Sequence, residues 1–542
     1  MTLPSHAPAQ DSTPAYPSEE ALRRYVQGRL LEERGQRDQA LGEYSRALLL
    51  DDSSAGLARR ASEVSAINGE PARSLEFAER ALALDPEDAR ALWLRGTALL
   101  NLGRESEALA PLEAAARLDS EQVDYFRTLG RAAESLDRLD LVVRSYRQAV
   151  WLQPDDAESW FQLAAGEARL GHFGAADTAM AEVLHMEPLR PGAFFLQGWI
   201  EENLGRSERA VDLYRQHLRV HPDDQEARRR EVQLLGRAKR FDEAWRESRI
   251  LTQARPDDPA NSELEADLAF AAGRPGDGAQ VLRRMRHQWP DDPNVIAASV
   301  AVLARHGRAG QGVAEAEAWA GQRSDDYRSH LVAARARTLN RQPREALAHL
   351  ERAVQLAPDS LAPRAMLARF YEQQQKNREA EKVWTEMAAR FPRHNGVAFD
   401  LAACRERLGD LAGAEAAVRD VLGREPDNPT ALNFLGYLWA DHDRHLDEAV
   451  DLIVRALAQD PDNGAFLDSL GWAYYRLRRF GEARVQLERA ARLTGEDSVV
   501  LEHLGDVYKA LELNALALKQ YRLCLAADPA NSRVRAKLEA LR

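Results

Sequence analysis

Ala465–Leu493 reads AFLDSLGWAYYRLRRFGEARVQLERAARL, and this stretch decides the fold. Two small residues, Gly471 and Ala483, let one helix approach another closely, while Tyr474 and Leu487 fill the space beside them at helical spacing. The same arrangement returns every 34 residues. Pro188, Pro222, Pro256 and Pro290 are 34 apart, as are Pro358, Pro392 and Pro426; Pro86, Pro154, Pro461 and Pro529 extend the register. Fifteen units follow, beginning at Ala21, Ala55, Ala89, Val123, Ala157, Pro191, Gln225, Pro259, Pro293, Tyr327, Leu361, Asn395, Pro429, Gly464 and Ser498. Position eight is Gly, Ala or Ser in thirteen of them and position twenty is Ala in eleven, so the close approach of two helices is a property of the unit. Turns such as Leu170-Gly171-His172-Phe173 separate the helices, and tetrads such as Gln153–Asp156 end the second one. Proline cannot continue a helix, and the Asp or Asn after it caps the next.

At 542 residues, length alone suggests three or four domains, but the period replaces that count. The chain divides into a Pro/Ser-rich leader expected to be disordered (residues 1–20), repeats one to seven (21–258), repeats eight and nine (259–326), repeats ten to fifteen (327–531) and a capping helix (532–542). Gly278 and Gly312 stand where alanine is usual, so residues 259–326 are expected to form a soft joint. With 45% hydrophobic and 29% charged residues the composition is that of a folded, soluble chain. No apolar run approaches the ~18 residues of a spanning helix, which excludes an integral membrane protein. A net charge of −13 speaks against nucleic acid as the partner.

The period, with Trp or Leu at position four, Gly/Ala at eight, Tyr at eleven, Ala at twenty and Pro at thirty-two, resembles the tetratricopeptide repeat family over residues 21–531. The resemblance implies an all-α, right-handed superhelical solenoid, with first helices lining a concave groove and second helices outside. It also implies that positions two, five, nine and twelve of each first helix face that groove.

No catalytic or phosphate-binding motif is present, no cofactor or metal is called for, and the repeats leave no length for a catalytic domain. The reading is non-enzymatic. Cys404 and Cys524 read as small core residues, and His217 with His221 lacks a third ligand. Asp441, His442, Asp443 and His445 are metal-compatible types in a loop that reads as solvated.

Function must then lie in surface left over from packing. Groove positions in the first half give Tyr25, Arg59, Trp93, Arg127, Arg131, Phe161, Phe195, Trp199 and Arg229, a basic-aromatic series suited to an extended acidic peptide. Trp93 and Phe161 compete with a packing role against the next repeat. In the second half the same positions give Phe399, Asn433, Tyr437, Asp468, Trp472, Tyr475, Glu502 and Asp506, an acidic-aromatic series suited to a basic or polar partner. With only six lysines, Asn433 does not reconstruct a carboxylate clamp for chaperone tails. The tandem segments Leu432–Asp441, Leu467–Leu477 and Leu501–Leu511 resemble bacterial repeat lipoproteins that act as adaptors of carboxy-terminal processing proteases. That resemblance implies a scaffold presenting substrates to a protease. A structural organiser of a cell-envelope assembly, such as polysaccharide secretion, is the alternative; in either case the partners are proteins, and self-association stays open. Met1–Glu20 has no signal-peptide pattern, which as it stands points to the cytoplasm, with the cell envelope as the alternative if the start is processed or misassigned.

Overall fold

The computed structural model describes residues 18–495 and 497–541. Among them every regular element is an α-helix: fifteen consecutive pairs and a final single helix, Ser532–Ala540. Thirteen of the fifteen first helices begin on the periodic positions, from Ala55–Ile67 to Ser498–Ala510. The two exceptions have local causes. In repeat one the helix starts earlier, at Glu19, because Ser18 Oγ accepts the Ala21 N–H at 3.1 Å. Two residues of the expected leader are therefore helical, and residues 1–17 lie outside the described residues. In repeat six it starts at Ala193, because Gly192 holds a left-handed φ of 80°.

Most first helices are capped by an Asp or Asn, which in seven of nine cases stands two residues after a proline. Asp88, Asp224, Asp258, Asp292, Asp326, Asn428, Asn463, Asp497 and Asn531 each accept a hydrogen bond from a backbone N–H in the first turn that follows. Each such cap is worth about 1 kcal/mol. The turn within a pair passes through the left-handed region, at Gly103 (φ 71°) and even at Asp137 and Lys239, where no glycine stands.

Inside each pair a small residue at position eight faces a large one at position twenty-four. A methyl on Gly28 would lie 2.5 Å from the Tyr44 ring, on Gly96 2.4 Å from Leu112, on Gly471 2.5 Å from Leu487, and on Gly505 2.4 Å from Tyr521. Where position eight is larger, the partner shrinks: Val300 faces Ala316, and Val232 faces Ser248, all buried. Tyr44, Tyr214 and Trp384 are fully buried and pass a hydrogen bond to Glu32, Glu202 and Glu372 at 2.7, 2.9 and 2.9 Å.

The same exchange accounts for one of the two glycines at position twenty. A methyl on Gly278 would meet Phe270 at 2.8 Å, and Gly312 lies against the backbone of Val300. Gly278 is therefore the packing partner of a larger residue in the preceding helix, whereas a methyl on Gly312 would only touch Val300 at 3.4 Å.

The chain forms two compact units, one ending at Val281 and the other beginning at Leu282, a division inside the helix Pro275–Gln288. In the first unit one buried cluster runs from Leu75 to Ile200, flanked by clusters around Tyr44 and Tyr214. In the second, clusters around Trp319, Trp384, Ile453 and Tyr521 succeed one another along the chain. Within a unit, first helices of successive repeats touch, as Pro429–Asp441 touches Gly464–Arg476. Where they touch, neighbouring first helices form a common surface.

Candidate partner-binding surfaces on the first helices

In the first unit most of the basic-aromatic series is committed to the protein's own packing. Arg59 donates to Asp88 at 2.8 Å, and Arg127 donates to Asp156 at 2.6 and 2.9 Å and to Gln153 at 2.8 Å. In both cases the arginine at position five reaches the acid that precedes the next first helix. Burial pushes the Asp156 carboxyl up, but hydrogen bonds from Ser159 and Arg127 outweigh it and hold the group below the usual carboxylate range. Arg229 donates to Asn261 at 3.2 Å. Trp93 donates from Nε1 to Thr128 Oγ1 at 3.0 Å, stacks on Tyr125 and carries the Arg90 guanidinium over its ring. Phe161 lies under Arg190, Phe195 packs on Tyr214 and His217, and Trp199 meets Phe173 edge-on. Tyr25 packs on Tyr44. Arg131 alone of the series is exposed without an ion pair or hydrogen bond.

The acidic-aromatic series of the second unit divides in two. Glu502 and Asp506 are not open surface. Both are buried beneath the last helix, where Lys537 donates to Glu502 at 2.7 Å and to Asp506 at 2.6 Å, and Arg533 donates to Glu502 at 2.8 Å. Burial raises the Glu502 carboxyl, yet Arg533 and Lys537 bring it below its ordinary range. Asp506 also accepts from Tyr521 Oη at 2.6 Å. Sequence alone did not show this, because Arg533 and Lys537 lie about thirty residues beyond the acids they neutralise.

The remaining members do come together. Trp472 is stacked between Tyr475 and His503, with ring centroids 4.9 and 4.2 Å away, and donates to Asp441 at 3.0 Å. His503 in turn is hydrogen-bonded to the buried Asp468 at 2.9 Å. Burial raises the Tyr437 hydroxyl, with Asp441, Asp468 and Glu406 adding to the effect. Phe399 stacks on Phe434, and the Oδ1 of Asn433 is buried without a hydrogen-bond partner. Ligand-type atoms of Glu406, Asp441 and His442 lie within 4.8 Å of one another. Asp441 already accepts from Trp472 and has the Arg476 guanidinium 3.7 Å away, a cation that opposes binding of a second one. Cys404 and Cys524 are buried and donate to backbone carbonyls, with burial pushing the Cys524 thiol up to about 11.

A further surface was absent from the sequence reading. On the first helices of repeats nine to eleven, Pro293–Arg305, Tyr327–Leu339 and Leu361–Gln373, packing leaves two adjoining recesses of roughly 300 and 360 Å³. Ala297, Leu331 and Val332 help to line the first; Leu339, Leu350 and Phe370 help to line the second; Met366 and Arg335 belong to both. Among the described residues Arg335, which is exposed, has neither a hydrogen bond nor an ion pair, and Arg369 makes a 3.4 Å contact with Asp400. The signal was available: arginine stands at position nine in repeats ten and eleven, while position five is alanine in repeats nine and eleven.

Two tetratricopeptide repeat family models match the chain, one at residues 66–123, 161–226, 365–429, 406–464 and 442–498, the other at 338–384, together more than half of its length. The chain belongs to the tetratricopeptide repeat family. This repeat protein is 37% identical over 133 residues to a TPR repeat-containing protein of Pseudomonas aeruginosa, covering 24% of this chain and 22% of that one. It is 31% identical over 162 residues to Superkiller complex protein 3 of Mus musculus, covering 28% of this chain and 10% of that one. The chain therefore matches only about a fifth and a tenth of these relatives' lengths. Among solved structures it is similar to Naa15/Naa10 bound to HypK-THB, at 14% identity, 96% coverage of both chains and a TM-score of 0.42. It is also similar to YrrB, a TPR protein with an unusual peptide-binding site, at 25% identity, with 34% of this chain and 95% of that one covered and a TM-score of 0.33. No described helix is long and apolar enough to cross a membrane.

Proposed function

We propose that this tetratricopeptide repeat chain is a non-catalytic protein–protein scaffold whose first-helix faces hold extended segments of partner proteins. The observation that carries this reading is the surface of repeats nine to eleven, where two apolar recesses meet at an unpaired arginine. The repeats' own packing consumes most other arginines and aromatics on first helices, so surface left unconsumed is where a partner finds unsatisfied chemistry. Arg131 in the first unit is another place of this kind, and in the second unit the half-buried Asn433 keeps an Oδ1 without a hydrogen-bond partner. The finer role, holding substrates for a carboxy-terminal processing protease, is supported by the tandem Leu432–Asp441, Leu467–Leu477 and Leu501–Leu511 segments.

The test is co-purification from the native host with Arg131→Glu and Arg335→Glu, singly and together, alongside circular dichroism. Loss of specific partners with native helicity is the expected result. Retention of every partner by the folded double variant would remove the first-helix faces from recognition.

A further inference from the structure

The two recesses offer apolar depth and an unpaired cation together. The floor of the first is built by Ala297, Leu331 and Val332, that of the second by Leu350, Met366 and Phe370. Neither has an acidic side chain among its lining residues. Arg328, at the edge of the first, is already held by Asp326 at 2.9 Å, whereas Arg335, between the two, has no ion pair or hydrogen bond among the described residues. A guanidinium in that position presents a planar fork of donors to a carboxylate. Along the helix Tyr327–Leu339 the first recess is lined from Tyr327 to Arg335 and the second from Ala334 to Leu339. Their centres are about six residues apart, or about 9 Å at 1.5 Å per residue. The lateral offset from one first helix toward the next lengthens that path by a few ångströms, given interaxial distances of about 8–10 Å. An extended chain advances about 3.1–3.4 Å per residue, so three to four residues cover the span.

We infer that this surface binds an extended protein segment with two apolar side chains three or four residues apart and a carboxylate between them, the carboxylate on Arg335. The inference rests on the scaffold reading above and names the ligand that the reading leaves open. Each apolar side chain fills one recess, and the acid supplies the charge that Arg335 lacks. Binding of this kind weakens with salt, because the ion pair lies at the rim.

Fluorescent nonapeptides with two leucines three or four residues apart around a glutamate serve as probes for the full chain, in fluorescence anisotropy at low and high salt. Controls replace the glutamate with lysine or both leucines with serine. The expected result is at least tenfold weaker binding for either control peptide and for Arg335→Glu, with Arg335→Gln intermediate. Circular dichroism checks that the variants keep their helicity. If the lysine peptides bind as well as the glutamate peptides and Arg335→Glu changes nothing, the ligand class is overturned while peptide binding on the face survives. If no peptide of either charge binds, both this inference and the scaffold reading of this face fall.

Discussion

At the scale of single residues the protein is governed by exchanges of volume and of charge across a fixed frame. Gly505 exists because Tyr521 occupies the space where its side chain would be. Gly505→Ala is expected to destabilise the last repeat by about 1–3 kcal/mol, the cost of overpacking a core, and Tyr521→Leu should restore part of the loss in urea unfolding. Charge behaves likewise at Glu502, which is buried and neutralised by Arg533 and Lys537. Its carboxyl sits below the ordinary range, so it binds protons less readily folded than unfolded. The stability it contributes is complete above the unfolded carboxylate value, about pH 4.3, and is lost as pH falls through the lower folded value. Lys537→Ala should cost about 1–3 kcal/mol by removing hydrogen bonds to charged groups, and should bring acid fraying of the C-terminal end to higher pH. Amide exchange of Ser532–Ala540 measured against pH checks both statements.

At the scale of the helix pair, the sequence was most informative about where elements begin. Proline, Asp/Asn caps and the small residues at positions eight and twenty are local features, and the helices start where those residues stand. Long-range partners were harder to read, because an arginine at position five looks the same whether it faces a ligand or the next repeat. Arg59 and Arg127 reach an acid 29 residues away, and only folding brings that acid within 3 Å. Glu502 and Asp506 were misread for the same reason: the lysine that covers them lies more than thirty residues on. The glycines of repeats eight and nine show how one residue type can have two local meanings. Gly312→Ala puts its methyl 3.4 Å from Val300, an ordinary contact, and should gain up to about 1 kcal/mol of helix propensity in thermal unfolding. Gly278→Ala would drive a methyl into Phe270 and should bring no such gain unless Phe270→Leu accompanies it. As a soft joint, residues 259–326 should exchange their amides faster than the flanking repeats; slower exchange there would remove the joint.

At the scale of the whole molecule, the 34-residue period commits almost the entire chain to a single purpose. Stability in such an array is passed between neighbours, and the surface left over is long and available. The second helices expose apolar side chains as well, such as Leu49 and Trp151, which are 84% and 72% exposed. The first helices expose Arg131 and Arg335, which have neither an ion pair nor a hydrogen bond among the described residues, while Asn433 Oδ1 is buried without a hydrogen-bond partner. The account's central claim is that partners are held on the first helices. A photo-crosslinking amino acid placed in turn at Arg131, Arg335, Leu49 and Trp151 in the native host tests it most directly. The account predicts crosslinks to the same partner proteins from Arg131 or Arg335 and none from Leu49 or Trp151; crosslinks confined to Leu49 and Trp151 would contradict it.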